Sequence, residues 1–174
     1  MIKKYFFFLF FIIVACQSPK KNHDFTFFKW NIHQSYYLKF NSSDTLYFIN
    51  TYPLQEQTSF TILNEEEKEK IQSTLDIISF PKETEFESSV EDGETFAFEL
   101  KSKKQSKQLK IHGHQGPNQF WLFGKSLEEI KNQHSFTKIN KKFNLKEFNK
   151  MILSPPPLNW TCDSCPQNKT NKSK

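Results

Sequence analysis

Between Glu94 and His114 the chain carries one pattern twice. Phe96, Phe98 and Leu100 alternate with polar neighbours over Glu94 to Leu100. After the polar turn Lys101 to Lys107 the alternation resumes over Gln108 to His114, with Leu109 and Ile111 as the apolar members. Successive side chains on a strand point to opposite faces, so a period of two gives each run one apolar face. Two such runs joined by a short polar turn form a β-hairpin. This ties the fold to an antiparallel sheet with one face against a core.

The rest of the chain supplies material for that sheet and its cover. Phe25 to Ile32, Ser35 to Phe40, Thr45 to Ile49 and Thr58 to Leu63 read as strands, rich in aromatic and β-branched residues. Asn41-Ser42-Ser43-Asp44 is turn chemistry, because short polar side chains bond their own backbone. Asn64 is a good helix N-cap, and Glu65, Glu66 and Glu67 suit the positive end of a helix dipole. Ile71, Leu75 and Ile78 then share a face, and the helix ends near Phe80-Pro81. Lys82 to Gly93 is an acidic loop. Gly116-Pro117 breaks the hairpin and starts a second helix with Phe120, Phe123, Leu127 and Ile130 on one stripe. Asn144 caps a shorter helix carrying Leu145, Phe148 and Ile152. Amphipathic helices must bury their stripes against a sheet face. The expectation is an α+β fold: an antiparallel sheet of about five to six strands with two to three amphipathic helices packed on one face.

Residues 1–15 differ from all of this. Lys3 and Lys4 precede an unbroken apolar run, Tyr5 to Ala15, and Cys16 follows. That is the layout of a secretory signal, and the run reaches only about half way across a hydrocarbon core of ~30 Å. Ile13-Val14-Ala15-Cys16 resembles the lipobox of bacterial lipoproteins. The resemblance implies cleavage before Cys16 and a covalent lipid on its sulfur; no other cofactor is expected. Two or more acyl chains hold a protein stably on a membrane without a transmembrane helix. Gln17, in place of an Asp, is similar to outer-membrane lipoproteins, and the chain differs from surface-exposed lipoproteins of Bacteroidota in having no acidic segment after Cys16, which implies the periplasmic side. All 24 basic residues are lysine. With the "SSDT.Y" turn, the "DG..F.F" strand and the "HG..GP" turn between Ser42 and Pro117, the chain resembles small lipoproteins of Bacteroidota, a likeness that brings no activity with it. The sequence thus divides into a signal peptide (1–15), a tether (16–24), one α+β domain (25–153) and a Pro-rich, Lys-rich tail with a cysteine pair (154–174).

The pI near 9.0 does not imply nucleic acid, since the charge is mixed along the chain and the signal exports it. The expected partners are the membrane, through the anchor, and an envelope protein. Of the twenty phenylalanines, five lie in the signal (Phe6, Phe7, Phe8, Phe10, Phe11), and the rest supply a core despite modest hydrophobicity, because each aromatic buries a large area. Trp30, Tyr36, Tyr37, Tyr47, Tyr52 and Trp121 are candidates for an aromatic binding patch, set against ordinary packing in the core.

Chemistry-bearing motifs are few. No G-x-S-x-G, phosphate loop or H-E-x-x-H occurs. His112 and His114, on one face if both lie in a strand, are candidate metal ligands, but two ligands do not close a zinc site. The acidic loop lacks calcium-loop spacing. Cys162 and Cys165 form a C-x-x-C after three prolines. With Cys16 lipidated they are the remaining thiols, and export puts them where disulfides persist. A thioredoxin-type pair sits at a helix N-terminus, which lowers the thiol pKa, and nothing after the prolines predicts such a helix. A local disulfide is the expectation. Thiol redox chemistry, or zinc held by His112, His114, Cys162 and Cys165, is the alternative. The functional expectation is a lipid-anchored, non-catalytic binding module of the cell envelope.

Overall fold

The structure, a computed structural model, describes residues 22–53, 57–89, 93–102 and 105–152. The chain forms two compact units, Met1–Phe143 and Asn144–Lys174. In the first, four strands follow one another: β1 (Asp24–Asn31), β2 (Gln34–Phe40), β3 (Thr45–Tyr52) and β4 (Gln57–Ile62). Helix α1 (Glu65–Ile77) comes next, then β5 (Glu85–Phe86), the hairpin β6 (Thr95–Lys101) and β7 (Ser106–His112), helix α2 (Asn118–Gln133) and β8 (Thr137–Lys138). In the second unit the described structure is α3 (Lys146–Asn149), a single turn. Asn144 accepts from the Lys146 N–H at 3.2 Å, but the longer helix expected there stops at Asn149.

All strands join one sheet in the order β5-β7-β6-β1-β2-β3-β4-β8. The fold is α+β as expected, but the sheet has eight strands, not five or six. Its six longer strands are those expected from the sequence, two from alternation and four from aromatic and β-branched content. The two additions, β5 and β8, are two residues each, too short to leave a periodic pattern. The sheet is also mixed: β5 runs parallel to β7, while the other pairs are antiparallel.

Helices α1 and α2 pack on one face of this sheet. Register sets Phe27 beside Leu38 and Phe98, and Phe98 beside Leu109, so one parity of each strand points at the helices. Ile71 and Leu75 of α1 and Phe120, Phe123, Leu127 and Ile130 of α2 close the core. The core is largely aromatic. Phe27 meets Phe96 at 5.2 Å and Phe98 at 5.3 Å, and Phe98 meets Phe120 at 5.1 Å. Pairs in tilted or edge-on geometry contribute about 0.5–1.5 kcal/mol beyond area burial.

The opposite face is also buried in part. Phe28, Tyr37 and Ile49 lie in one cross-strand row and are buried, with Phe28 and Tyr37 rings 4.7 Å apart. This two-sided burial explains why alternation in β1 is only partial: Phe27 and Phe28 are both buried, on opposite faces of the sheet.

Local chemistry fixes the ends. Asn64 accepts from the Glu67 N–H and Glu67 accepts from the Asn64 N–H, both at 2.9 Å, which is a capping box. Gly116 adopts φ +86°, and a Cβ there would meet Ile111 Cγ2 at 2.7 Å. Only glycine fits the turn between β7 and α2.

Candidate binding groove and its buried ion cluster

The aromatic core is interrupted at one inward position. Lys29 shares the parity of Phe25 and Phe27 in β1, so its side chain enters the space under α2, where it is 4% exposed. An ammonium there is tolerated only if paired. Lys29 Nζ lies 2.7 Å from Glu94 and in direct contact with Glu128 of α2. Lys125 binds the same two carboxylates from outside, at 2.6 Å to Glu94 and 3.0 Å to Glu128. The two ammoniums and two carboxylates sum to zero.

Each shift in this cluster has a physical cause. Burial pushes the Glu94 carboxyl up, but hydrogen bonds and charge from Lys125 and Lys29 outweigh it and hold it below the usual carboxylate range. Burial pulls Lys125 down, and Glu94 and Glu128 more than reverse that. The Tyr36 hydroxyl lies 3.4 Å from Glu128, and burial, then the Glu128 charge, push it far above the ordinary phenol range. It is therefore a permanent donor.

Beside the cluster opens a groove of about 520 Å³. Pairs of β3 and β4 line its floor: Phe48 opposite Ser59, and Asn50 opposite Gln57. The end of α2 supplies Lys131, Asn132 and His134, and the following segment supplies Phe136 and Lys138. Phe48 and Phe136 rings lie 5.3 Å apart. His134, the C-cap of α2, is locked in place: Thr61 Oγ1 lies 3.2 Å from its Nδ1, and Glu67 Oε1 lies 2.9 Å from its Nε2. Glu67 thus caps α1 with one oxygen and fixes the groove wall with the other.

Lys131 is the group with spare valence. Its ammonium sits 5.0 Å from the Tyr36 ring centre and 5.6 Å from that of Phe48. Burial lowers its pKa, Glu128 partly offsets this, and Lys29 adds repulsion. Among the described residues no carboxylate lies within 4 Å of Lys131, in contrast to Lys29, Lys110 and Lys125.

Of the residues singled out from sequence, Tyr36 lies at this site, between Glu128 and Lys131, and the others lie elsewhere. β7 ends at His112, whose Nδ1 is 2.8 Å from Thr95 Oγ1. Gly113 and His114 form a left-handed turn, φ 59° and 64°, and His114 packs on the Trp121 ring at 5.0 Å. His112 and His114 are therefore not neighbours along one strand face. No cluster of three or more His, Cys, Asp or Glu suited to a metal occurs among the described residues. Cys16, Cys162 and Cys165 lie outside the described residues. In the acidic loop, Glu85 and Glu87 bind Lys110, which is 4% exposed. That Lys-carboxylate pairing is what these two glutamates do in the fold. The six aromatic candidates are divided between environments: Tyr36, Tyr37 and Trp121 are buried, and Trp30, Tyr47 and Tyr52 are half-buried.

Sequence reasoning missed Lys131 and His134. The signal available was weak: a Lys and a His closing an amphipathic helix read as ordinary C-terminal charge. No family model, curated protein or solved structure matches the chain.

Proposed function

We propose that this chain is a lipid-anchored protein of the bacterial cell envelope, held by Cys16 in the outer membrane facing the periplasm, whose α+β domain is a non-catalytic binding module. The anchor rests on the lipobox-like Ile13-Val14-Ala15-Cys16. The binding reading rests on one observation, the groove beside Lys131, a concave site with an aromatic floor and a few convergent polar groups. Its volume falls within the range of about 300–1,000 Å³ typical of ligand sites. The neighbouring ion cluster joins β1 to α2, the helix whose end forms the groove wall.

Metabolic labelling with an alkyne fatty acid tests the anchor. The native chain is expected to take up label and stay with membranes, while Cys16→Ser releases an unlabelled chain; equal labelling of both defeats the lipoprotein reading. Crosslinking the acylated protein in its native envelope tests the module. Recovery of a specific bound partner supports it. Loss of function on Cys162→Ser with the fold intact would instead favour a thiol redox or zinc role for Cys162 and Cys165.

A further inference from the structure

The chemistry of the groove narrows what it takes. Its lining carries two ammonium groups, Lys131 and Lys138, and no carboxylate. Both imidazole nitrogens of His134 already have partners, so His134 shapes the wall and has no ring nitrogen left for a ligand. Elsewhere in the domain, buried ammoniums are matched: Lys29 and Lys110, each 4% exposed, have two carboxylates apiece. Lys131 is half-buried and faces two aromatic rings; Glu128 attracts it from a distance and Lys29 repels it, and among the described residues no carboxylate lies within 4 Å of it. Ring faces attract a cation but do not neutralise it. A desolvated cation in an open site gains most from an anion that arrives from solvent.

The rest of the lining sets the body of that ligand. Phe48 and Phe136 present a ring surface, and side chains of Gln57, Ser59 and Asn132 edge it with groups able to donate and accept. We propose that the groove binds a small organic anion: a carboxylate or phosphate head at the Lys131 ammonium, and a flat apolar body on Phe48 and Phe136. This deepens the binding-module reading and rests on it. Lys138, exposed at the rim, adds a second, weaker charge.

The test uses the full chain in zwitterionic nanodiscs, titrated calorimetrically with 2-naphthoate, 2-naphthyl phosphate and neutral 2-naphthylmethanol against empty discs. Both anions are expected to bind at least tenfold more tightly than the alcohol, and the stronger of the two identifies the head group. Lys131→Met is expected to remove that preference, Lys131→Arg to restore most of it, and Lys107→Met, at the exposed start of β7, to leave it unchanged. Urea midpoints of the variants establish that the fold persists. Equal binding of alcohol and anions, retention of the preference in Lys131→Met, or no binding of either anion overturns the proposal. If none of these probes binds while crosslinking still recovers a specific partner, the module reading stands and the anion site falls; if both fail, both fall.

Discussion

Replacing Lys29 with Met tests whether the ion cluster under α2 is held together by charge balance. Met matches the length of the lysine stem, so the change removes the ammonium and little volume. Glu94 and Glu128, with side chains 18% and 12% exposed, are then left with Lys125 alone. Removing one partner of a buried pair costs about 3–5 kcal/mol, because the other charge stays buried. Lys125 remains 2.6 Å from Glu94 and 3.0 Å from Glu128, which places the loss at the low end, about 3 kcal/mol. At a urea m-value of about 1.5 kcal/mol/M the midpoint falls by about 2 M. The double variant Lys29→Met, Glu128→Gln returns the cluster to zero net charge. It keeps the Lys125–Glu94 pair and an acceptor for the Tyr36 hydroxyl. Urea unfolding followed by circular dichroism is expected to recover at least half of the loss. If the double variant is no more stable than Lys29→Met, charge balance is not what holds the cluster, and the reasoning fails.

Three further outcomes are expected. Glu94 has its carboxyl held below the usual range, so its contribution is present above the unfolded value near 4.5 and is lost as pH falls through the lower folded value. Urea midpoints should drop as pH goes from about 5 toward 3, and Glu94→Gln should flatten that slope; an unchanged slope refutes the assignment. Gly124→Ala in α2 gains up to about 1 kcal/mol of helix propensity, but its Cβ would meet the Phe96 ring at 2.4 Å. Overpacking costs about 1–3 kcal/mol, so thermal melting should show a net loss of about 1 kcal/mol, and a raised midpoint would mean that the Phe96 ring moves aside freely. Asn64→Ala removes one half of the capping box and should lower stability by about 1 kcal/mol, read from the same melts; no change would mean that the Asn64–Glu67 pair is idle.

The legible part of the fold was the part written in periodicity. Phe96, Phe98, Leu109 and Ile111 announced their hairpin, and Phe120, Phe123, Leu127 and Ile130 their helix, because each repeats often enough for a pattern to stand out. Strands β5 and β8 hold two residues each and exist only because β7 and β4 offer them an edge. Lys29 was the one readable clue to the cluster, a charge at the parity of Phe25 and Phe27. Its partners Glu94 and Glu128 stand far away in sequence, and only the register and the docking of α2 bring them to it. The groove was not legible at all. It is built from the end of α2, the segment that follows it and two cross-strand pairs on β3 and β4, pieces that no periodic pattern in the sequence joins.

The position of β1 has a consequence for how the chain reaches its fold. The first strand among the described residues lies in the interior of the sheet, between β2 and β6. β1 to β4 can zip up in order as a local meander. The other edge of β1, Asp24 to Trp30, must wait for Thr95 to Lys101, which lie far downstream. Until then a strand reading DFTFFKWN offers unpaired N–H and C=O groups beside four large aromatics. Such an edge is a template for foreign strands, and closing it late carries the slow kinetics of non-local pairing. A chain cut short before β6 would be left with that edge permanently open, so a nascent or truncated form is the species most prone to aggregate.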